Sequence, residues 1–233
     1  VVVVRLVCSH VYVCVAFLAF SYRVPAGGLI VANCEDAKTM ATVAGETRPM
    51  LTFGVERGDV HAANLVFDHG FGQFDVLYHD ACYAHVKLSV PGLHNVKNAL
   101  AAAAAAIALA VPGQAVERGL RDFRLPGRRF EYKGEYNGAR IYDDYAPHPG
   151  ELAALLDTAA TLGYRRIICA FQPHPYSRTH ELFDDFVQVL RTQVSPSRRS
   201  CGRTHRTRNT VMSDPTPTNR PMPATAPDEN ARR

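Results

Sequence analysis

Apolar residues recur with two different periods along this chain, and the switches between them divide it. The run GGLIVANCEDA is short, apolar and ends in polar residues, the pattern of a buried strand passing into a loop. RPMLTFGVE repeats that pattern, and DAKTMATVAGET between them reads as a helix. Together they predict a βαβ unit on a parallel sheet. From Asp59 to Val90 the pattern alternates, in VHAANLVFD, GFGQFDVLYHD and ACYAHVKLSV. These predict antiparallel strands joined at Gly and Asp turns. GLHNVKNALAAAAAAIALA then predicts a helix with Asn95 as its N-cap, because Ala and Leu are strong helix formers. GQAVERGLRDF predicts a second helix.

LPGRR reads as a linker. Beyond it, RRFEYKGEYNGARIYDD predicts a β-hairpin turning at Asn137-Gly138. HPGELAALLDTAATLG predicts a helix with Pro149 in its first turn and Gly163 as its stop. RRIICAFQP predicts a buried strand and RTHELFDDFVQVLRT one amphipathic helix. That alternation predicts a second α/β unit. Order is expected to fail after about Thr192: the last 38 residues, from Pro196, hold only Val211, Met212 and Met222 from the large apolar set, and prolines accumulate. Such a segment buries too little apolar surface to offset its ordering entropy, so a disordered tail after an incomplete sheet is expected. The resulting division is an atypical apolar N-terminus over 1–15, a first unit over 16–125, a second over 126–192 and a tail over 193–233.

Composition narrows the function classes. A hydrophobic fraction of 47% with 21% charged residues is that of a globular chain, not a disordered one. The net charge of +4 is concentrated in the tail, where Pro196 to Arg233 holds eight Arg against Asp214, Asp228 and Glu229. The rest is near neutral, so no nucleic-acid face is expected. The six Cys form no CxxC pair, which argues against a zinc site or a disulfide framework and fits reduced thiols in a cytoplasmic chain. The opening VVVVRLVCSHVYVCVAFLAF is apolar enough to suggest a membrane segment, but Arg5, Ser9 and His10 interrupt it. With no Met start and no small-residue cleavage site, it reads as a cut or misread N-terminus, and no membrane partner is expected.

Three polar clusters fall at strand ends or helix starts, where open parallel sheets bind ligands. HNVKN holds His94, Asn95 and Asn98; capping alone would account for it, whereas Asn amides can also read a nucleobase edge. DDYAPHPGE holds Asp143, Asp144 and His148; it is either a solvated loop at a helix start or an acid placed for a ribose hydroxyl or a metal. FQPHPYSRT brings Gln172, His174, Tyr176 and Arg178 straight out of a buried strand, and Arg178 suits a bidentate grip on a carboxylate or phosphate.

In their order and spacing, GLHNVKNALAA, GRRFE, DDYAPHPGE and FQPHPYSRT resemble the Mur ligases, most closely the members that join L-alanine to UDP-N-acetylmuramate. VPAGGLIVANCEDA resembles the Asn-x-Asp-Asp stretch of the same family, and the likeness runs from about Ala16 to Arg191. The resemblance implies an α/β chain made of the later part of a central ATPase domain, with a parallel sheet plus small antiparallel strands. A Rossmann-like C-terminal domain that receives the amino acid follows. It implies ATP and Mg2+ as cofactors, and UDP-N-acetylmuramate and L-alanine as small-molecule substrates of peptidoglycan synthesis. Carried over by position, His94, Asn95, Asn98 and Asp144 belong to the ATP site. Arg129, Asp144, His174 and Arg178 are the catalytic set. His148, His174 and Arg178 contact substrate, and no metal ligand is assigned.

The departures are equally specific. No Gly-x-x-x-x-Gly-Lys-Ser/Thr stretch for cradling phosphates occurs, and the acid and His expected before VPAGG to hold magnesium are replaced by apolar sequence. A fragment that is inactive alone is therefore expected. Pro147 stands where the family usually has His, removing an imidazole and a backbone N–H from the loop. Two alternatives remain open: a recycling member that attaches a peptide to the same sugar nucleotide, and a non-catalytic nucleotide-binding remnant.

Overall fold

The computed structural model describes residues 2–4, 11–25, 27–193, 199–203 and 209–214. The first half opens with β1 (Val2–Val4), α1 (Val11–Ser21), β2 (Ile30–Asn33), α2 (Ala37–Val43) and β3 (Met50–Phe53). β4 (Val60–Asp68), β5 (Phe71–Tyr78) and β6 (Ala81–Pro91) follow, and all six strands lie in chain order in one sheet. β1, β2 and β3 are parallel, and β4 joins them through Phe53 and Val60. β4, β5 and β6 are antiparallel, as the alternation predicts. The expected βαβ unit is β2-α2-β3, with Asp36 capping α2 by accepting the backbone N–H groups of Lys38 and Thr39. The N-terminal run, to which the sequence reading assigns no element, supplies β1 and α1. No described helix is long and apolar enough to cross a membrane.

α3 (Leu93–Ala108) and α4 (Gly113–Asp122) then pack on the sheet. Val96, Ala99, Leu100, Ala103 and Ala104 of α3 are buried against Val60, Phe74, Val76 and Val86. The small Ala side chains let the helix sit close to the strands, and this apolar layer is the core of the first unit.

The second unit contains β7 (Glu131–Tyr136), β8 (Ala139–Asp144), α5 (Pro149–Thr161) and β9 (Arg166–Phe171). Asn137 and Gly138 both have positive φ, 49° and 79°, the twist a two-residue hairpin needs. His148 is the N-cap of α5, accepting the Gly150 N–H through Nδ1, Pro149 fills the first turn, and Gly163 follows the C-cap with φ 75°. Leu152, Leu155, Leu156 and Ala159 bury one face of α5 against Ile167, Cys169 and Phe171.

Three expectations are corrected. The single amphipathic helix is two, α6 (Tyr176–Glu181) and α7 (Phe183–Gln193), broken at Leu182, which turns inward to the core. The tail is not wholly without order: β10 (Arg199–Arg203) and β11 (Asn209–Asp214) complete a five-stranded sheet in the order β10-β9-β11-β8-β7. Backbone ladders need no apolar composition, so the sparse hydrophobicity there did not forbid strands. Gln193, the first residue of the expected tail, closes α7, and the remaining tail residues lie outside the described residues. The third correction is the cap of α3. Gly92, not Asn95, is the N-cap, with φ 100° and ψ 145°, and its N–H donates to the Gly70 carbonyl at 2.8 Å.

Candidate functional site

Between the two sheets lies a cleft of about 620 Å3. Its walls come from β6, α3, the end of α4, the linker and α5. Leu88, Val90, Ala99, Ala102, Leu120 and Phe123 give it apolar faces. His94, Asn95, Asn98, Arg129 and Asp144 supply its polar groups. A mostly apolar cavity with a few convergent polar side chains is the ordinary form of a small-molecule site.

The local folding explains each placement. With Gly92 as cap, Asn95 falls in the first turn of α3 and is buried. Its Nδ2 donates to the Pro91 carbonyl at 2.7 Å, and its Oδ1 accepts Asn98 Nδ2 at 3.2 Å. Asn95 thus ties the helix start to the end of β6 and orients Asn98, which stands one turn on and is exposed. Asp144 ends β8. Its Oδ2 accepts the Phe130 N–H at 2.7 Å and its Oδ1 the Ala146 N–H at 2.9 Å. Burial pushes the Asp144 carboxyl up, while those two N–H groups and the Arg129 charge oppose the shift.

Its neighbour Asp143 is buried, with Arg128 Nε 3.9 Å from Oδ2. The Arg128 guanidinium also lies 5.0 Å from the Tyr145 ring centre. Sequence reasoning gave Arg128 no part, although GRRFE contains both arginines. The linker's positive φ values at Arg128 and Phe130, 60° and 46°, let the two diverge, Arg128 to Asp143 and Arg129 to the cleft.

The structure does not bring the other candidates into this cleft. His148 caps α5, and burial pulls its imidazole pKa down, with Arg178 and Lys38 adding to that against Glu151 and Asp185. His174 is exposed, and its carbonyl accepts Arg178 Nη1 at 3.5 Å. His148, His174 and Arg178 therefore form a second group around the starts of α5 and α6.

The residues present fit part of a nucleotide. Apolar walls suit a purine, Asn98 and the helix start offer edge contacts, and Arg129 and Asp144 suit phosphate and sugar hydroxyls. Magnesium has no comparable fit. Among the described residues the metal-capable cluster is Asp75, Cys82 and His85, and a thiol is a poor partner for a hard cation.

Two α/β sheet units with a ligand-sized cleft between them define a chain of the two-lobed α/β type. The chain belongs to the Mur ligase family. Residues 12–106 match the Mur ligase middle domain, and residues 128–196 match the Mur ligase glutamate ligase domain. It is 41% identical over 171 residues to the UDP-N-acetylmuramate–L-alanine ligase of Clostridium acetobutylicum, covering 73% of this chain and 37% of that one. It is 40% identical over 178 residues to the corresponding enzyme of Lawsonia intracellularis, covering 76% and 39%. The UDP-N-acetylmuramate-alanine ligase structure from Thermotoga maritima superposes with a TM-score of 0.56 at 25% identity, over 76% of this chain and 43% of that one. A murein peptide ligase from Psychrobacter arcticus shares the fold with a TM-score of 0.56 at 23% identity, over 82% and 46%. The chain thus spans well under half the length of these curated relatives.

Proposed function

We propose that this chain is part of an ATP-dependent ligase that joins L-alanine to UDP-N-acetylmuramate in peptidoglycan synthesis. The cleft is its adenosine site. One observation carries this reading: His94, Asn95 and Asn98 from α3 meet Arg129 and Asp144 from the linker and β8 on one cleft. The 38–41% identity to alanine ligases supports the choice of L-alanine as acceptor. Residues 16–125 serve as the later part of the ATPase domain and 126–192 as the amino-acid-receiving domain.

The chemistry has two balanced steps. A carboxylate oxygen of the muramoyl group takes the terminal phosphoryl of ATP, releasing ADP. The L-alanine amine then attacks the acyl carbon, forming the amide and releasing phosphate and a proton. In this chain Asn98 orients the base, Asp144 holds the sugar and linker, and Arg129 offsets phosphate charge as it redistributes. His148, His174 and Arg178 face the amino-acid and acyl end. Mg2+ would offset charge on the phosphates, but the described residues provide no oxygen cluster for it, so no step is assigned through it. These 233 residues hold no Gly-x-x-x-x-Gly-Lys-Ser/Thr stretch, and by themselves they are proposed to bind nucleotide without turnover.

Equilibrium binding tests the reading. A fluorescent ATP analogue should bind the full chain, be displaced by ATP and ADP, and bind more weakly to Arg129→Ala. Phosphate release with ATP, Mg2+, UDP-N-acetylmuramate and L-alanine should stay at background. Absence of nucleotide binding would remove the adenosine assignment.

A further inference from the structure

Away from the cleft, three side chains of unlike chemistry converge on the β5-β6 hairpin. The donor atoms of Asp75, Cys82 and His85 all lie within 4.8 Å of one another. We propose that these three residues form a binding site for a zinc-class divalent cation, with solvent as the remaining ligand.

The convergence has a specific backbone cause. In an unbroken strand, residues three apart face opposite sides, so Cys82 and His85 would be separated by the sheet. The pairing register shifts between them: Val76 pairs with Ala84, but Leu77 pairs with Cys82, leaving Tyr83 as an extra residue. Asp75 pairs with His85. Asp75 and Leu77 share a face, so their partners His85 and Cys82 now share it too.

The bulge is held from outside. The Tyr83 hydroxyl donates to the Val111 carbonyl at 2.5 Å, and the His85 backbone N–H donates to Glu117 of α4 at 2.7 Å. Gly113, the first residue of α4, lies so close that a Cβ there would run into the Tyr83 carbonyl. The backbone under Cys82 and His85 is therefore set by packing.

The donor set is also oriented. Asp75 Oδ2 accepts Asn64 Nδ2 at 2.7 Å, and Oδ1 lies 2.6 Å from His85 Nδ1. Cys82 Sγ lies 3.9 and 3.8 Å from the two ring nitrogens. A tetrahedral cation bonded to sulfur and imidazole nitrogen at the usual lengths holds those two atoms about 3.5 Å apart. The separation thus needs only a few tenths of an ångström of adjustment and a turn of the exposed ring, whose side chain is 75% accessible. Thiolate, imidazole and carboxylate together select a borderline-soft cation and reject magnesium or calcium. Binding expels the thiol proton, and also the proton between His85 and Asp75 when the imidazole is charged, so affinity rises with pH.

Cobalt(II) titration of the reduced, chelator-treated full chain tests the site. One equivalent should produce a thiolate-to-cobalt charge-transfer band and tetrahedral d–d absorption, both bleached by zinc. Cys82→Ser should abolish the charge-transfer band, Asp75→Asn and His85→Gln should weaken binding at least about tenfold, and Cys34→Ser should change nothing. Circular dichroism of each variant separates lost ligation from lost folding, which these exposed positions should not cause. No band in the native chain, or a band and affinity unchanged in Cys82→Ser, would overturn the proposal. The readout does not involve nucleotide, so its failure leaves the ligase reading untouched.

Discussion

The carboxylate of Asp144 accepts the backbone N–H of Phe130 at 2.7 Å, which fastens the linker to the end of β8. Asp144→Ala removes this acceptor and the one for Ala146, and leaving these part-buried N–H groups without it costs about 1 kcal/mol, the low end for an unmade hydrogen bond. A lower melting temperature is expected, and an unchanged one would show that the linker is held by other contacts. The pH dependence has a definite sign. The folded carboxyl titrates above its ordinary range, so its ionised form is penalised in the fold. The penalty appears as pH rises from the ordinary carboxylate range through that raised value, and it is complete above it. Asp144→Asn should flatten this part of a stability profile taken from acid to neutral pH.

Asn95 and Asn98 should separate structure from binding. Asn95→Ala unpairs the buried Pro91 carbonyl and should cost about 1–3 kcal/mol in thermal or urea unfolding. Asn98 is exposed, so Asn98→Ala should leave stability within about 0.5 kcal/mol. Its nucleotide affinity should fall at least about fivefold, the worth of one hydrogen bond. Equal effects of the two changes on melting would contradict this division.

Gly92 starts α3 in a backbone conformation that side chains rarely adopt. Gly92→Ala should destabilise by about 1–3 kcal/mol from strain alone. The added Cβ also meets Thr158 Oγ1, and His94 Cε1 at 2.8 Å. Thr158→Ala in the same chain should recover only part of the loss, because the φ of 100° remains. Full recovery in a denaturant melt would show that crowding, not backbone strain, is the cause.

His85 should titrate above an ordinary histidine, because the Asp75 hydrogen bond, and then the Asp75 charge, favour its protonated form. The sign follows from linkage. The pairing supports the fold fully below the unfolded-state pKa and is lost as pH rises through the folded one. Proton NMR of the metal-free chain should show the His85 midpoint falling in Asp75→Asn. A midpoint that does not move would mean that another group sets it.

Much of this was legible from residue patterns. The Asn137-Gly138 turn, Pro149 in the first turn of α5 and the Ala-rich α3 each carry a local physical signature. The fold class followed from their order. What escaped depends on partners distant in sequence. Asn95 has the chemistry of a cap, but Gly92 takes that place because its N–H is paired to Gly70, a relation fixed by the β5-β6 pairing. Leu182 breaks a helix that reads as continuous. Five site candidates, His94, Asn95, Asn98, Arg129 and Asp144, meet on one cleft, whereas His148, His174 and Arg178 stand apart. Asp75, Cys82 and His85 form no CxxC pattern. The Cys-Tyr-Ala-His spacing was readable, but only the extra residue at Tyr83 puts its ends on one face.

In the second unit, β11 lies between β8 and β9, so the last described strand in the chain is an interior strand of the sheet. Protein synthesis is vectorial. When β8 and β9 leave the ribosome, the strand that joins them has not yet been made. Until residues 209–214 emerge, the nascent chain carries an open slot between two unsatisfied ladders, a template for any extended segment nearby. Slowing translation over those codons should therefore increase the chain's dependence on chaperones, although no residue of the finished protein has changed.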